Sequence, residues 1–267
     1  MSISNIQSAL EARSMWQHFV EQYTSRGLTN LRDKLVAIAG VAELIQPLIG
    51  SEYVAGLWKR ELVPDLIWMA RSSPHDDLPF SDYTAPSFSW ASIGGAVMPC
   101  RGRIIEECQL LDAQVSLSGS SPFGQVSGGW IRLRGYLLTT TFIAGEFFLS
   151  DENWVRRAMF DGGMEEFTFM NHDGQLEKGN GRMRSGSKPR DRTCPISLSL
   201  FYVGFLETDG EKSIQFFLLL GLSPRDPTCY ERVGILALDR KDDCGSPFNH
   251  EWPLRFDEWS LTTITIV

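Results

Sequence analysis

Apolar positions in the first part of the chain recur at the spacing of amphipathic helices, which places them on one face of each helix. One set ends near Gly27, and a second closes before Pro47, because proline disfavours the interior of a helix. A third set, Val54–Trp68, predicts another helix with a kink at Pro64. The pattern therefore predicts a helical segment over residues 1–70.

The pattern changes after residue 86 to short runs rich in β-branched and aromatic residues, separated by turn-forming residues. Asp209-Gly210 between two of these runs predicts a hairpin. The predicted strands are Ser87–Ser92, Arg103–Ser116, Gly129–Thr141, Glu166–Met170, Ile196–Glu207, Ser213–Leu222, Arg232–Leu238 and Leu261–Val267.

These elements predict an α+β protein that is mainly β, in one structural unit. The helical segment, residues 1–70, is joined by a proline-containing linker, residues 71–86, to a β domain over residues 87–267. Many strands and few helices after the linker favour an antiparallel β-barrel or sandwich. We expect the helical segment to pack on it through Trp58, Trp68 and Trp90.

Two of the strands indicate their surroundings. In Trp130–Leu137, alternation places Arg132, Arg134 and Tyr136 on one face and aliphatic residues on the other, which predicts a strand with one wet face. The run Ile214–Leu220 is apolar on both faces and is predicted to be a strand covered on each side.

Charge and cysteine content narrow the classes of function. A net charge of −8 and a pI of about 5.1 argue against a nucleic-acid partner, and the one basic cluster, from Lys178 to Arg192, is typical of a solvated loop. Five scattered cysteines and no apolar N-terminal run predict a reducing, cytoplasmic location. No apolar run reaches the length of a membrane span, so we expect no membrane partner.

Four stretches carry a resemblance to a known family. They are Tyr23–Thr29 (YTSRGLT) with the DKLVA run that follows, Tyr53–Trp58 (YVAGLW) with Leu66–Trp68 (LIW), Ala85–Ser92 (APSFSWAS) and Tyr230–Gly234 (YERVG). In the order and spacing of the first three, with a weaker match in the fourth, they resemble the region that follows the effector domain in fungal heterokaryon-incompatibility (HET) proteins. Phe88 stands where that family usually has Trp.

The resemblance implies a protein that lacks the TIR-like effector domain of the family and is not expected to inherit its cell-killing activity. From their residue types, the motifs themselves are expected to be architectural. Thr29 or Asn30 could cap a helix, Gly56 could permit close packing of helices, and Pro86 with Phe88 and Trp90 could lead into a strand.

Motifs for metal, nucleotide or nucleophile chemistry are missing from the sequence, so no cofactor and no metal site is predicted. Glu166 and Tyr136 are the candidate catalytic residues, as acid–base groups inside an aromatic-lined barrel. The candidate ligand-binding residues are Arg132, Arg134, Tyr136, Trp90 and Tyr202. If the arginines face inward, they could hold an enolate, carboxylate or phenolate oxygen; if they face water, they form the solvated side of a strand.

Two functions remain open. The first is a recognition or regulatory protein that acts through contacts with a protein partner. The second is a cofactor-independent cyclase or isomerase of fungal secondary metabolism, binding an apolar or aromatic small molecule. The aromatic surplus between Phe142 and Phe217 motivates the second, since a barrel can hold one small ligand and conformational restriction needs few catalytic groups.

Overall fold

The computed structural model describes residues 8–26, 30–70, 83–144, 154–160, 166–170, 176–180, 195–207, 214–240 and 259–267. Its helices are α1 (Ala9–Thr24), α2 (Lys34–Ile49) and the short α3 (Leu62–Asp65). Of the two proposed caps, Asn30 accepts a hydrogen bond from the backbone N–H of Arg32 at 3.1 Å, at the start of the 3-10 turn that leads into α2. The other cap, Thr29, lies outside the described residues, as do the Asp209-Gly210 turn, most of the linker and most of the basic cluster.

Helix α2 runs past the proline at which we expected it to stop. Pro47 lies within the last turn, and the helix ends only at Gly50, whose φ of 65° is left-handed. Pro47 removes a hydrogen bond to the carbonyl of Glu43, but both residues are exposed, so water can satisfy that carbonyl. Burial of Ile45 and Ile49 then holds the final turn against the core.

The third predicted helix is wrong. Strands β1 (Tyr53–Val54) and β2 (Leu57–Trp58) form a hairpin there with a two-residue turn. It is followed by α3 and by β3 (Trp68–Ala70). Ala55 and Gly56 both have positive φ, 48° and 97°, as a tight turn between twisted strands requires. Gly56 is therefore a turn residue and not a helix-packing residue.

The first predicted strand, Ser87–Ser92, is also wrong. The chain there makes a turn and a short 3-10 helix, Trp90–Ser92, with the Ser89 hydroxyl accepting a hydrogen bond from the backbone N–H of Ala91. This local capping by a serine side chain competes with the strand conformation.

The other predicted strands are confirmed, except that Arg103–Ser116 is divided into two strands, β5 and β6, which pair with different neighbours. Strands β4, β8 and β10 are present in addition. They are β4 (Val97–Pro99), β5 (Ile104–Glu106), β6 (Gln109–Leu117), β7 (Val126–Ala144), β8 (Trp154–Phe160), β9 (Glu166–Met170), β10 (Leu176–Asn180), β11 (Pro195–Leu206), β12 (Ile214–Leu222), β13 (Tyr230–Arg240) and β14 (Ser260–Ile266). The protein is thus mixed, mainly of strands, with N-terminal helices and a large antiparallel-rich sheet.

Followed from strand to strand, the pairings in the large sheet lead from β7 through β14, β13, β12 and β11 back to β7. β7 pairs with β14 over residues 131–137 and with β11 over residues 137–143. β11 pairs with β12, and β12 with β13, all antiparallel, while β13 meets β14 in parallel at Tyr230 and Ile266. β12 is a central strand buried along most of its length, as its apolar run predicted.

Beyond this circuit the sheet continues. β9 pairs with the end of β7 and with β10, and β8 pairs with β13. β6 and β5 extend it on the other side, along β7 and β11.

One hydrophobic core joins the helices to one face of the sheet. Trp58, Trp68 and Trp90 are all at most 2% exposed and belong to it, as expected. From the sheet it takes alternate residues such as Ile131 and Phe216. The opposite side of the same strands is called the far face below.

Candidate functional site

The sequence motifs meet at a buried junction around Arg232. Its side chain is 0% exposed, and its guanidinium donates hydrogen bonds to the carbonyls of Leu66, at 2.5 Å, and Trp68, at 2.6 Å. The guanidinium carbon also lies 3.5 Å from the centre of the Trp68 ring. The Ser87 hydroxyl accepts a hydrogen bond from the Arg232 backbone N–H at 2.9 Å and donates to the carbonyl of Val267. Three separate motifs are thereby tied together.

The β1–β2 turn forms the second part of this junction. The carbonyl of Gly56 accepts hydrogen bonds from the indole N–H groups of Trp90, at 2.9 Å, and Trp16, at 3.2 Å. The Ser89 hydroxyl donates to the carbonyl of Ala55 at 2.5 Å. A Cβ on Gly56 would lie 2.7 Å from the Trp90 ring nitrogen, so only glycine fits.

The first motif joins through Tyr23 and Lys34. The Tyr23 hydroxyl donates to the carbonyl of Lys34 at 2.9 Å, and its ring meets the edge of Trp90 with centroids 6.3 Å apart. The Lys34 ammonium is buried and donates to the carbonyl of Ile93 at 2.5 Å; burial lowers its pKa to about 8. The side chains of these motif residues bind backbone carbonyls of other segments and so connect them. This is the architectural role that we expected for the motifs.

A different chemistry lies on the far face, where three aromatic rings form a cluster. Tyr202 on β11 stacks on Phe217 of β12, with ring centroids 4.9 Å apart, and Trp259, just before β14, lies 5.7 Å from Phe217. All three side chains are buried. We call Tyr202, Phe217 and Trp259 the aromatic cluster.

Aliphatic residues surround the aromatic cluster on the same face of the strands. Register pairs Tyr202 with Phe217, and Phe217 with Leu236 of β13. One pair further along the strands, Leu200 lies opposite both Leu219 and Leu138. The buried aliphatic side chains here are Leu138, Leu198, Leu200, Leu219 and Leu236.

Two polar atoms in this apolar setting have no hydrogen-bond partner within the described part of the protein. They are the hydroxyl of Tyr202, whose residue is 1% exposed, and Oε1 of Gln215, 2% exposed. Gln215 lies two residues before Phe217 on β12 and so shares its face. Burial, with a smaller contribution from Glu107, raises the pKa of Tyr202, which keeps the hydroxyl protonated and able to donate.

Two other buried polar atoms, the Tyr53 hydroxyl and the Trp58 indole nitrogen, also have no hydrogen-bond partner among the residues that the structure describes. Their rings meet edge to face, 5.2 Å apart at 65°, an arrangement in which a polar hydrogen can approach an aromatic face. The Tyr202 ring instead lies nearly parallel to Phe217, at 28°, and has no such contact with it. A buried hydroxyl left without a partner costs roughly 1–3 kcal/mol.

The predicted ligand residues on β7 lie on the far face but differ in depth. Arg132 and Arg134 are exposed, which agrees with the alternative in which they form the solvated side of the strand, and Tyr136 is half-buried. Arg132 lies over the ring of Trp130, 5.1 Å from its centre. The structure thus does not bring the arginines of β7 into the aromatic cluster, although both lie on the far face of the sheet.

The remaining predicted residues separate. Tyr202 lies in the aromatic cluster, whereas Trp90 belongs to the buried junction, where its indole nitrogen is already bound. Glu166 begins β9, and its backbone pairs with Asn180; its side chain lies outside the described part of the structure.

Sequence reasoning did not single out Gln215 or Trp259 as site residues. Gln215 had one detectable sign, because it is the single polar residue in the apolar run of β12. A polar residue inside a strand covered on both sides calls for an explanation. Trp259 carries no such sign, since its nearness to Phe217 depends on the order of β12, β13 and β14 in the sheet.

Comparison of the chain with family models, curated proteins and solved structures gave no match. Among the described residues, no helix is both long and apolar enough to cross a membrane.

Proposed function

We propose that the protein binds a small, mainly apolar molecule on the far face of its sheet. The observation that carries this proposal is the Tyr202 hydroxyl, which is buried among apolar side chains and has no hydrogen-bond partner among the described residues. A binding site of this kind is mainly apolar, with a few polar groups that fix the orientation of the ligand. A bound polar atom would restore the hydrogen bond that Tyr202 lacks.

We further propose that the strand circuit encloses this face as a barrel. The circuit of β7, β14, β13, β12 and β11 supports this, because its pairings lead back to β7. The contact between Phe217 and Trp259 also supports it, since β13 separates their strands in the sheet. Strands β8, β9 and β10 extend beyond the circuit and would widen the container at one end.

The resemblance to HET proteins stays a proposal for the origin of the scaffold, supported by the shared role of its motifs at the buried junction. Catalysis is the further step within this proposal. A cofactor-independent cyclase or isomerase would use the aromatic rings to restrict its substrate. Tyr202, kept protonated, would donate a hydrogen bond to a developing oxyanion.

The binding test uses phenylnaphthylamine, an uncharged probe that fluoresces in apolar surroundings. We expect saturable binding by the wild-type protein and at least about tenfold weaker binding by Leu219→Trp, which fills the far face. Leu219→Phe serves as the milder variant if Leu219→Trp fails to fold by circular dichroism. The matched control is Leu10→Trp, because Leu10 lies on helix α1 and not on the sheet, and is 69% exposed. Absent binding, or equal binding by the filled variants, would overturn the proposal.

Tyr202→Phe tests the unpartnered hydroxyl itself. Removing a buried polar group that has no partner should leave the free energy of unfolding unchanged or raise it by about 1 kcal/mol. A loss above about 1 kcal/mol in urea unfolding would mean that the hydroxyl is satisfied in the free protein.

A second candidate is the recognition or regulatory protein. It is favoured by large apolar side chains exposed on the helices, namely Leu10 (69%), Phe19 (40%), Val36 (50%) and Leu44 (61%). A photo-crosslinking amino acid placed at Leu44 should then capture one defined partner from native lysate, with Glu52 as the exposed control position. Identical adducts from both positions would remove this candidate.

A further inference from the structure

One face of β7 leads from solvent towards the aromatic cluster. Arg132, Arg134, Tyr136 and Leu138 follow at steps of two residues and therefore share the far face. The two arginines are exposed, Tyr136 is half-buried, and Leu138 is buried opposite Leu200. The face thus changes from charged to apolar over a distance of about 13 Å between Arg134 and Leu138.

The charged neighbours of the two arginines differ. Within the described residues, neither has a carboxylate at ion-pair distance, although Asp112 is the register partner of Arg132 on β6. The register partners of Arg134 are Gln109 and Thr263, both uncharged. Arg134, whose register partners are uncharged, is therefore a local positive group in a chain of net charge −8.

We infer that the ligand is an amphipathic organic anion. This deepens the proposed function and rests on it. The anionic group, such as a carboxylate, would meet Arg134 and Arg132 at the rim, since guanidinium forks match planar oxyanions. The apolar body would extend past Tyr136 and Leu138 towards the aromatic cluster.

The buried polar atoms specify the other end of the ligand. The Tyr202 hydroxyl can donate to a carbonyl oxygen, and Oε1 of Gln215 can accept from a hydroxyl or N–H. The ligand class is therefore an elongated apolar or aromatic acid that carries a carbonyl and a donor far from its acidic group.

The test compares two probes with one skeleton, anilinonaphthalenesulfonate, an anion, and phenylnaphthylamine, which lacks the sulfonate. We expect Arg134→Gln to weaken binding of the anion by about fivefold or more, and the double Arg132→Gln, Arg134→Gln variant to weaken it further. Binding of the neutral probe should stay unchanged in both variants. Added salt should weaken the binding of the anion and leave the binding of the neutral probe unchanged.

The control is Arg103→Gln, because Arg103 is also exposed but is ion-paired with Glu207 at 2.9 Å. It should leave the binding of both probes unchanged. If the wild-type protein binds neither probe, the proposed function itself fails. The wild-type protein could instead bind the neutral probe while Arg134→Gln weakens binding of the anion no more than Arg103→Gln does. That result would overturn only the assignment of an anionic ligand.

Discussion

Replacing Arg232 with alanine should destabilise the protein far more than an ordinary arginine substitution. The change removes two hydrogen bonds from a charged donor, to the carbonyls of Leu66 and Trp68. Each such bond is worth about 1.5–3 kcal/mol, and both carbonyls would be left without this donor. It also removes the contact with the Trp68 ring. Relief from burying a charge offsets part of this, which leaves a net loss of about 3–5 kcal/mol.

Two further variants separate the contributions to this loss. Arg232→Lys keeps the charge but loses the fork that reaches both carbonyls, so it should recover only part of the stability. Arg232→Met fills the space without a charge and tests whether packing alone suffices. The measurement is equilibrium unfolding in urea followed by tryptophan fluorescence and circular dichroism together.

The matched control is Arg225→Ala, since Arg225 is exposed and lies over the ring of Tyr83 at the longer distance of 5.7 Å. It should change the free energy of unfolding by less than about 0.5 kcal/mol. A loss below about 1 kcal/mol for Arg232→Ala would refute the reasoning, because the junction would then not depend on the guanidinium.

Three other changes test the scaffold. Trp58→Ala should cost roughly 3–5 kcal/mol in denaturant unfolding, because Trp58 is 0% exposed, and a loss below about 1 kcal/mol would contradict its place in the core. Gly204→Ala should cost at least about 2 kcal/mol by the same assay, since its φ is 148° and a Cβ would lie 2.1 Å from the carbonyl oxygen of Ile105; a neutral result would show that the strands can shift. Lys34 has a pKa lowered to about 8 by burial, so the unfolded chain binds more protons above pH 8, and stability should rise from there towards about pH 10.4. The measurement is the difference between the pH–stability curves of the wild type and Lys34→Met, and a flat or falling difference would disprove the lowered pKa.

The strands were predictable from local pattern because each carries its own periodicity. β7 showed its two faces through alternation, and β12 showed its central position through a continuous apolar run. The hairpin Tyr53–Trp58 was not predictable in this way. Its apolar residues are as compatible with a helix as with two short strands, and its turn uses Ala55 at positive φ instead of the usual asparagine or aspartate. Contacts with Trp90 and Ser89, distant in sequence, select the turn.

The candidate site was predictable only in part, for a related reason. Alternation correctly placed Arg132, Arg134 and Tyr136 on one face, but pattern alone does not say where along a strand that face passes from solvent to interior. Tyr202 was found as one aromatic residue among many. Its unpartnered hydroxyl, and its neighbour Gln215, become visible only when the pairing of β11 with β12 is known.

The contrast between the two buried regions is the main argument for a ligand. At the junction, the polar side chains of Arg232, Ser87, Ser89 and Trp90 reach across long sequence distances to bind backbone carbonyls. The Tyr202 hydroxyl has no such partner among the described residues, and a phenylalanine at 202 would avoid the loss of stability that a buried hydroxyl without a partner causes. The hydroxyl is therefore best explained by a partner that is not part of the described chain. Tyr202→Phe separates a role of the hydroxyl in folding from a role in ligand binding. The variant should fold as the wild type does, and it should bind a ligand that accepts this hydrogen bond more weakly.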